Sequence, residues 1–120
     1  AFVLALAFNQ ALLLGIHRPR PYDAGLTHLI LPASADWSFP SDHASASFAI
    51  VFAFLHQRLP LRTLGLLGLA SLICLSRIYC GIHYAGDILG GIATALLAAT
   101  CIRLAYREGS RLDRFLTGLL

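Results

Sequence analysis

Charged residues are scarce in this chain of 120 residues: they make up 12% of it, and neither Met nor Lys occurs. Its three cysteines have neither a zinc-binding spacing nor an even disulfide pattern, so we interpret them as small apolar residues of a helix bundle. Asp and Glu residues do not cluster in a way that would hold Mg²⁺. We therefore expect no metal and no other cofactor.

The missing Met also bears on how the chain begins. The sequence opens at Ala1 inside an apolar run, and no positively charged region of a signal peptide precedes that run. We therefore expect an N-terminally incomplete piece of a longer protein, with some of its helices missing.

Apolar side chains are abundant, at 58% of the residues, which is more than a soluble domain of this size usually contains. They form four segments, at 1–16, 41–59, 61–79 and 83–102. A helix needs about 20 residues to cross a bilayer, and the last three segments fit that length. No segment alternates like a strand. We predict an all-α, polytopic transmembrane helix bundle with about four helices present, forming one domain over 1–120.

Small residues predict how these helices pack. Gly86 and Gly90 form a Gly-x-x-x-Gly pair, which favours close approach of two membrane helices. Gly65 and Gly68 are explained equally well by the ordinary frequency of Gly in membrane helices.

The nine basic residues predict an orientation. The net charge is +3, but the Arg residues lie between apolar segments rather than on one face, so we do not expect nucleic acid as a partner. Six of them fall in the turn at 56–62 and in a polar tail at 103–120. The positive-inside rule places the turn and the tail in the cytoplasm. The long loop at 17–40, and with it the chemistry, then faces the periplasm or the exterior.

Residues suited to phosphate chemistry gather at the loop side. Arg18 and Arg20 lie in the run HRPRPY, and a guanidinium group matches the geometry of phosphate oxygens. Ser41, in the run FPSDHA, is a candidate N-cap of a helix whose free N–H groups suit an anion. His83 and Asp87 are four residues apart and so share a helix face. Asp87 is placed to accept the Nδ1 proton of His83 and leave Nε2 free to attack.

His43, one turn into the preceding helix, is a candidate general acid. Each of these residues also has a simpler interpretation: an interfacial histidine, an arginine that contacts lipid headgroups, or an aspartate that caps its helix. Together these simpler interpretations must explain four ionisable groups at membrane helix ends on one side. Such groups are costly there and are usually functional.

These residues resemble the type 2 phosphatidic acid phosphatase superfamily, which shares its site with vanadium haloperoxidases. Pro40, Ser41 and His43 match its Pro-Ser-x-His block. A second block, Ser-Arg, five residues, His, three residues, Asp, is matched in full by Ser76, Arg77, His83 and Asp87. The family has one further block, in which a Lys is followed after six residues by Arg-Pro, and here the sequence departs from the family. Counting back from Arg20 places Leu13 at the Lys, and counting back from Arg18 places Ala11 there.

The resemblance implies a mechanism. His83 would attack phosphorus, Asp87 would orient it, and His43 would protonate the leaving group. The phosphate oxygens would be held by Arg20, Ser41 and Arg77, with Arg18 and Ser76 as further candidates. No metal would be required, because arginine and histidine replace it.

Within the superfamily the runs HRPRPY and FPSDHA are most similar to the bacitracin-resistance type of undecaprenyl-diphosphate phosphatase, an enzyme of the bacterial inner membrane. The family's six-helix bundle implies that about two helices precede this chain, and that without them Asn9 and Gln10 would meet lipid. The alternatives are a phosphatidate, phosphatidylglycerol-phosphate or lipid A phosphatase, and an inactive lipid-binding protein, which the absent Lys favours. A vanadate-dependent peroxidase fits a membrane chain least. The oligomeric state stays open.

Overall fold

The computed structural model describes residues 1–106 and 109–118. They form five helices: α1 (Phe2–Gly15), α2 (Asp42–His56), α3 (Pro60–Tyr79), α4 (Ala85–Ala105) and α5 (Arg111–Thr117). No strand occurs in these described residues, so the prediction of an all-α fold is confirmed. Helix α2 is the central one, since it packs on α1, α3 and α4.

The helix starts follow from local chemistry. The hydroxyl of Ser41 accepts a hydrogen bond from the Ala44 N–H at 3.4 Å, as the prediction of an N-cap required. Pro60 begins α3, where its missing N–H costs nothing. At the start of α4 the carboxylate of Asp87 accepts the Tyr84 N–H at 2.8 Å. Two of the predicted site residues therefore also fix where a helix begins.

Helices α3 and α4 are long and apolar enough to span a membrane. Many of their large apolar side chains are exposed, among them Leu61, Leu64, Leu72, Leu89 and Leu104. Burial of such surface in lipid would stabilise the bundle. The segment 41–59 differs from the prediction, because α2 has 15 residues and is shorter than the ~20 residues that cross a bilayer.

The predicted tail is partly helical. Helix α4 continues to Ala105, three residues into it, and α5 lies within it. Residues 107–108 and 119–120 of the tail fall outside the described part.

The α2–α4 contact depends on a glycine next to the predicted pair. A Cβ atom on Gly91 would lie 2.5 Å from the Ser41 carbonyl oxygen, so these two backbones touch where a side chain would separate them. Gly90 lies instead against the ring of Phe39. Around Gly65 and Gly68 the described structure leaves open space, in agreement with ordinary Gly usage.

The expectation that Asn9 would meet lipid is wrong. Asn9 is fully buried, and its side-chain amide donates to Asp42 Oδ1 at 2.8 Å and to Ser45 Oγ at 2.7 Å. Its oxygen accepts from Thr94 Oγ1 at 2.7 Å. The amide is buried because α2 and α4 supply polar partners for each of its groups. Gln10, beside it, is exposed.

The bundle has two chemically different ends. At one end Ala1, the last turn of α2 and the last turn of α4 lie around a common cavity. At the other end are the loop at 17–40 and the short link between α3 and α4. The sequence prediction that loop and turn lie at opposite ends agrees with this arrangement, while the compartment that each end faces stays a prediction.

Candidate active site

A cavity of about 320 Å³ opens at the loop end of the bundle. Four side chains predicted from the sequence line it together: Arg20, His43, Arg77 and His83. They come from the loop, from the first turn of α2, from the last turn of α3 and from the link before α4. The fold thus brings residues that are up to 63 positions apart to one place.

The orientation of His83 is fixed by the loop. His83 is buried, and its Nδ1 atom lies 2.9 Å from the carbonyl oxygen of Ser38. A carbonyl oxygen only accepts hydrogen bonds, so Nδ1 carries a proton, and in the neutral ring Nε2 is the unprotonated nitrogen. The Nη1 atom of Arg20 lies 3.4 Å from that Nε2 atom. The ring nitrogen that is left available is therefore the one beside a guanidinium group.

Asp87 is fully buried directly behind His83 and is surrounded by donors. It accepts from Arg18 Nη1 at 2.9 Å, from the Tyr84 N–H at 2.8 Å and from the hydroxyl of Ser38. Its Oδ2 atom is 3.5 Å from His83 Nδ1, farther than the Ser38 carbonyl oxygen. The predicted pairing of His83 with Asp87 is therefore present at this distance, and the Ser38 carbonyl oxygen is a second and closer partner of Nδ1. The simpler interpretation of Asp87 as a helix cap also holds, since it performs both tasks.

Arg20 is buried and held by three hydrogen bonds. Its Nε atom donates to the Asp36 carbonyl oxygen at 2.9 Å, Nη1 to the Ile82 carbonyl oxygen at 3.1 Å, and Nη2 to Ser34 Oγ at 3.2 Å. These partners are neutral, so the positive charge of the guanidinium group is not cancelled by them. A fixed cation of this kind is preorganised for an anion.

Arg77 contributes a donor that nothing satisfies. Its Nε atom is buried and has no hydrogen-bond partner within the described residues. A buried N–H group without a partner costs about 1–3 kcal/mol, so an acceptor that reached it would be favoured. A phosphoryl oxygen has the charge and the geometry that a guanidinium group prefers.

Three predicted phosphate ligands are not brought to the cavity wall. Ser41 is fully buried and caps α2. Arg18 forms the ion pair with Asp87, and its guanidinium group lies over the Tyr84 ring, 4.1 Å from the centroid. The hydroxyl of Ser76 donates to the Ile73 carbonyl oxygen of its own helix. A one-dimensional spacing cannot separate these from Arg20 and Arg77, because the direction in which each side chain points depends on packing.

Sequence reasoning did not identify Ser38 or Asp42 as residues of the site. Ser38 lies between two aromatic residues of the loop, and no local spacing marks it, since its partners are 45 and 49 positions away. Leu13 lines the cavity at the position of the family's Lys when the count runs from Arg20. Asp42 lines it too, so the cavity holds acidic as well as basic side chains.

The chain is similar in sequence to a known protein family and to several of its members. The family model of the PAP2 superfamily matches residues 1–110. Undecaprenyl-diphosphatase BcrC of Bacillus subtilis is 36% identical over 97 residues, which cover 79% of this chain and 49% of that protein. Putative undecaprenyl-diphosphatase YbjG of Escherichia coli is 35% identical over 89 residues, covering 73% of this chain and 44% of that protein.

Two further kinds of phosphatase are similar. Phosphatidylglycerophosphatase B of Bacillus subtilis is 32% identical over 74% of this chain and 46% of its own length. Sphingosine-1-phosphate phosphatase 2 of Mus musculus is 35% identical over 79% of this chain and 28% of its own length. The chain spans about half or less of the length of these relatives, and no solved structure matches it. With the family model matched over most of its length, the chain belongs to the PAP2 superfamily, as its motifs predicted.

Proposed function

We propose that the protein is an integral membrane phosphatase that hydrolyses a polyprenyl diphosphate, undecaprenyl diphosphate in particular, through a phosphohistidine at His83. The observation that carries this proposal is the pairing in one cavity of an unprotonated ring nitrogen and a buried donor without a partner. The nitrogen is Nε2 of His83, and the donor is Nε of Arg77. His83 and Arg77 both line the cavity, and a nucleophile beside a guanidinium group is what phosphoryl transfer requires.

The first step forms the bond between His83 Nε2 and the terminal phosphorus and breaks the bond from phosphorus to the bridging oxygen. Arg20 and Arg77 stabilise the charge on the phosphoryl oxygens. His43, in its protonated form, donates a proton to the bridging oxygen of the leaving lipid monophosphate. The ring of His83 keeps its Nδ1 proton and becomes positively charged beside the Ser38 carbonyl oxygen, with Asp87 behind it.

The second step releases phosphate. His43, now neutral, removes a proton from a water molecule, and the resulting hydroxide attacks phosphorus as the N–P bond breaks. Inorganic phosphate leaves, and Nε2 of His83 regains its lone pair. Each residue therefore returns to its starting protonation state after one turnover.

The choice of undecaprenyl diphosphate is supported by the names of two relatives, BcrC and YbjG. A phosphatidylglycerol-phosphate, phosphatidate or lipid A phosphatase is the alternative within the enzymes, and the similarity to phosphatidylglycerophosphatase B favours the first of these. An inactive lipid-binding protein is the alternative of another class, because Leu13 stands in the cavity wall in place of a cation.

The test uses the full-length protein in detergent or vesicles. Phosphate release is measured in parallel from undecaprenyl diphosphate, phosphatidylglycerol phosphate and phosphatidate, with Mg²⁺ and with EDTA. We expect fastest release from undecaprenyl diphosphate and no loss with EDTA. Release from phosphatidate alone would assign the alternative substrate, and lipid binding without release would identify a binding protein.

We further propose that the protein resides in the bacterial plasma membrane, with the cavity facing outward and the tail in the cytoplasm. The Arg residues of the turn and the tail support this orientation through the positive-inside rule. Cysteines introduced at Ala33 and Gly109 should react with an impermeant thiol reagent from opposite sides. Labelling of both from the same side would contradict the proposed topology.

A further inference from the structure

Ser38 stands out because all three of its polar groups connect parts of the site. Its side chain is fully buried in the loop between α1 and α2. Its N–H donates to the Arg18 carbonyl oxygen at 2.8 Å, and its carbonyl oxygen lies 2.9 Å from His83 Nδ1. Its hydroxyl donates to Asp87 Oδ2. One loop residue thus contacts both the reactive imidazole and the carboxylate behind it.

The two contacts act on the imidazole together. Oδ2 of Asp87 is 3.5 Å from His83 Nδ1 and is at the same time the acceptor of the Ser38 hydroxyl. Because that oxygen is engaged by the hydroxyl, the proton on Nδ1 is directed to the neutral carbonyl oxygen. A ring held from two sides does not tilt, and a misplacement of about 1 Å at a reacting atom can reduce a rate by ~100-fold.

We propose that Ser38 is a positioning residue for His83: its hydroxyl restrains Asp87 while its carbonyl oxygen holds Nδ1, so that Nε2 points at the substrate phosphorus. This inference rests on the proposed function of His83 as the nucleophile. Loss of the hydroxyl would leave the Tyr84 N–H as the remaining hydrogen-bond donor to Oδ2 in the described structure, so that Oδ2 attracts Nδ1 more strongly and turns the ring away from its position beside the Arg20 guanidinium group.

The fold around Ser38 should survive removal of the hydroxyl. Asp87 keeps its hydrogen bonds from Arg18 and from the Tyr84 N–H, so the carboxylate remains paired and α4 remains capped. The backbone contacts of Ser38 do not involve its side chain. A Ser38→Ala variant therefore removes one interaction without removing the anchor of the loop.

The experiment measures kcat, KM and the rate of phosphohistidine formation in rapid-quench assays of the full-length enzyme with undecaprenyl diphosphate. For Ser38→Ala we expect kcat and the rate of phosphohistidine formation to fall by the same factor, about 10- to 100-fold, while KM stays within about threefold. Ser38→Cys replaces the hydroxyl by a weak donor of similar size, and its kcat should lie between those of the wild type and Ser38→Ala.

Ser45→Ala is the matched control. Ser45 is also fully buried, and its hydroxyl is hydrogen-bonded, but to Asn9, Gly91 and Thr94 rather than to His83 or Asp87. Equal loss of kcat in Ser45→Ala and Ser38→Ala would show a structural effect and overturn the proposal. A wild-type kcat in Ser38→Ala would also overturn the proposal. If the Ala variant does not fold, a wild-type kcat in Ser38→Cys would do the same. Absence of acid-labile phosphate on His83 in the wild type would instead contradict the proposed function itself.

Discussion

Two buried hydrogen-bonded clusters lie along α4, two helical turns apart. They differ in whether a side-chain atom is left available to a ligand. The Asp87 cluster consists of Asp87, Ser38, Arg18, Tyr84 and His83. The Asn9 cluster consists of Asn9, Asp42, Ser45 and Thr94. Both join helices or loops that are distant in sequence, and both bury polar groups with their partners.

In the Asn9 cluster the side chains of Asn9, Ser45 and Thr94 all have hydrogen-bond partners. Ser45 Oγ accepts a hydrogen bond from Asn9 and donates to the Gly91 carbonyl oxygen at 3.0 Å. Thr94 Oγ1 lies 2.8 Å from Ser45 Oγ. In the Asp87 cluster, by contrast, Nδ1 of His83 is engaged, while Nε2 is the unprotonated nitrogen and has only a long contact of 3.4 Å, to Arg20 Nη1, within the described structure. We infer that the Asn9 cluster fixes the helices and that the Asp87 cluster fixes the ring nitrogen that we propose as the nucleophile. Mutations in the two should separate stability from catalysis.

The largest effect is expected for His83→Ala. This change removes the nucleophile, so phosphate release should fall to the uncatalysed level and no acid-labile phosphate should be trapped on the protein. The measurement is phosphate release together with labelling by substrate whose terminal phosphate is radioactive. Activity near that of the wild type would show that His83 is not the nucleophile.

The next largest effect is expected for Asp87→Asn. The amide keeps the size of the carboxylate but loses the charge that faces Arg18 and the imidazolium form of His83. Removal of the carboxylate from a base–carboxylate pair can lower kcat by ~10⁴-fold, and because the Ser38 carbonyl oxygen still holds Nδ1 we expect about 10²- to 10³-fold. If kcat stays within about tenfold of the wild-type value, Asp87 serves as a helix cap more than as an orienting group.

Thr94→Val tests the Asn9 cluster, because valine has nearly the same shape as threonine. The hydroxyl of Thr94 is lost, and Asn9 Oδ1 is left without its donor. The stability of the full-length protein should fall by about 1–3 kcal/mol, the cost of a buried group without a partner. The kcat of the folded fraction should not change measurably, because Thr94 does not line the cavity. Thermal unfolding and kcat measured on the same sample check both parts, and a large loss of kcat would show that the clusters are coupled.

The sequence predicted part of the Asp87 cluster and none of the hydrogen bonds of the Asn9 cluster. Apolar runs located α1, α2, α3 and α4, and motif spacing located His43, Arg77 and His83, because both signals are local or are fixed by known blocks. The Asn9 cluster was missed, since one amide in an apolar run carries no sign of partners 33 to 85 positions away. In the Asp87 cluster the spacing of four residues predicted the right neighbours. It did not predict the second partner of His83, because the Ser38 carbonyl oxygen comes from a loop 45 positions away and lies closer to Nδ1 than Asp87 does.

The smallest effect is expected for Leu13→Lys, at the point where α1 connects the two regions. Leu13 is one turn beyond Asn9 on α1 and lines the cavity. A cation there would add attraction for an anionic substrate, which for two charges about 4 Å apart and fully screened by water is worth ~1 kcal/mol and corresponds to a roughly fivefold lower KM. Since this attraction acts on the bound substrate and the transition state alike, kcat should change little.

The neighbouring position provides the matched control for Leu13→Lys. Leu14 is 83% exposed and does not line the cavity, so Leu14→Lys adds the same charge to the same turn of α1 but directs it away from the substrate. Its long side chain reaches the polar interface from there. A lower KM in Leu13→Lys alone would show that a cation at position 13 interacts directly with the charge of the substrate. An equal decrease in both variants would mean that the added net charge attracts the substrate to the membrane surface, and that the cavity of this chain binds phosphate without a cation on α1.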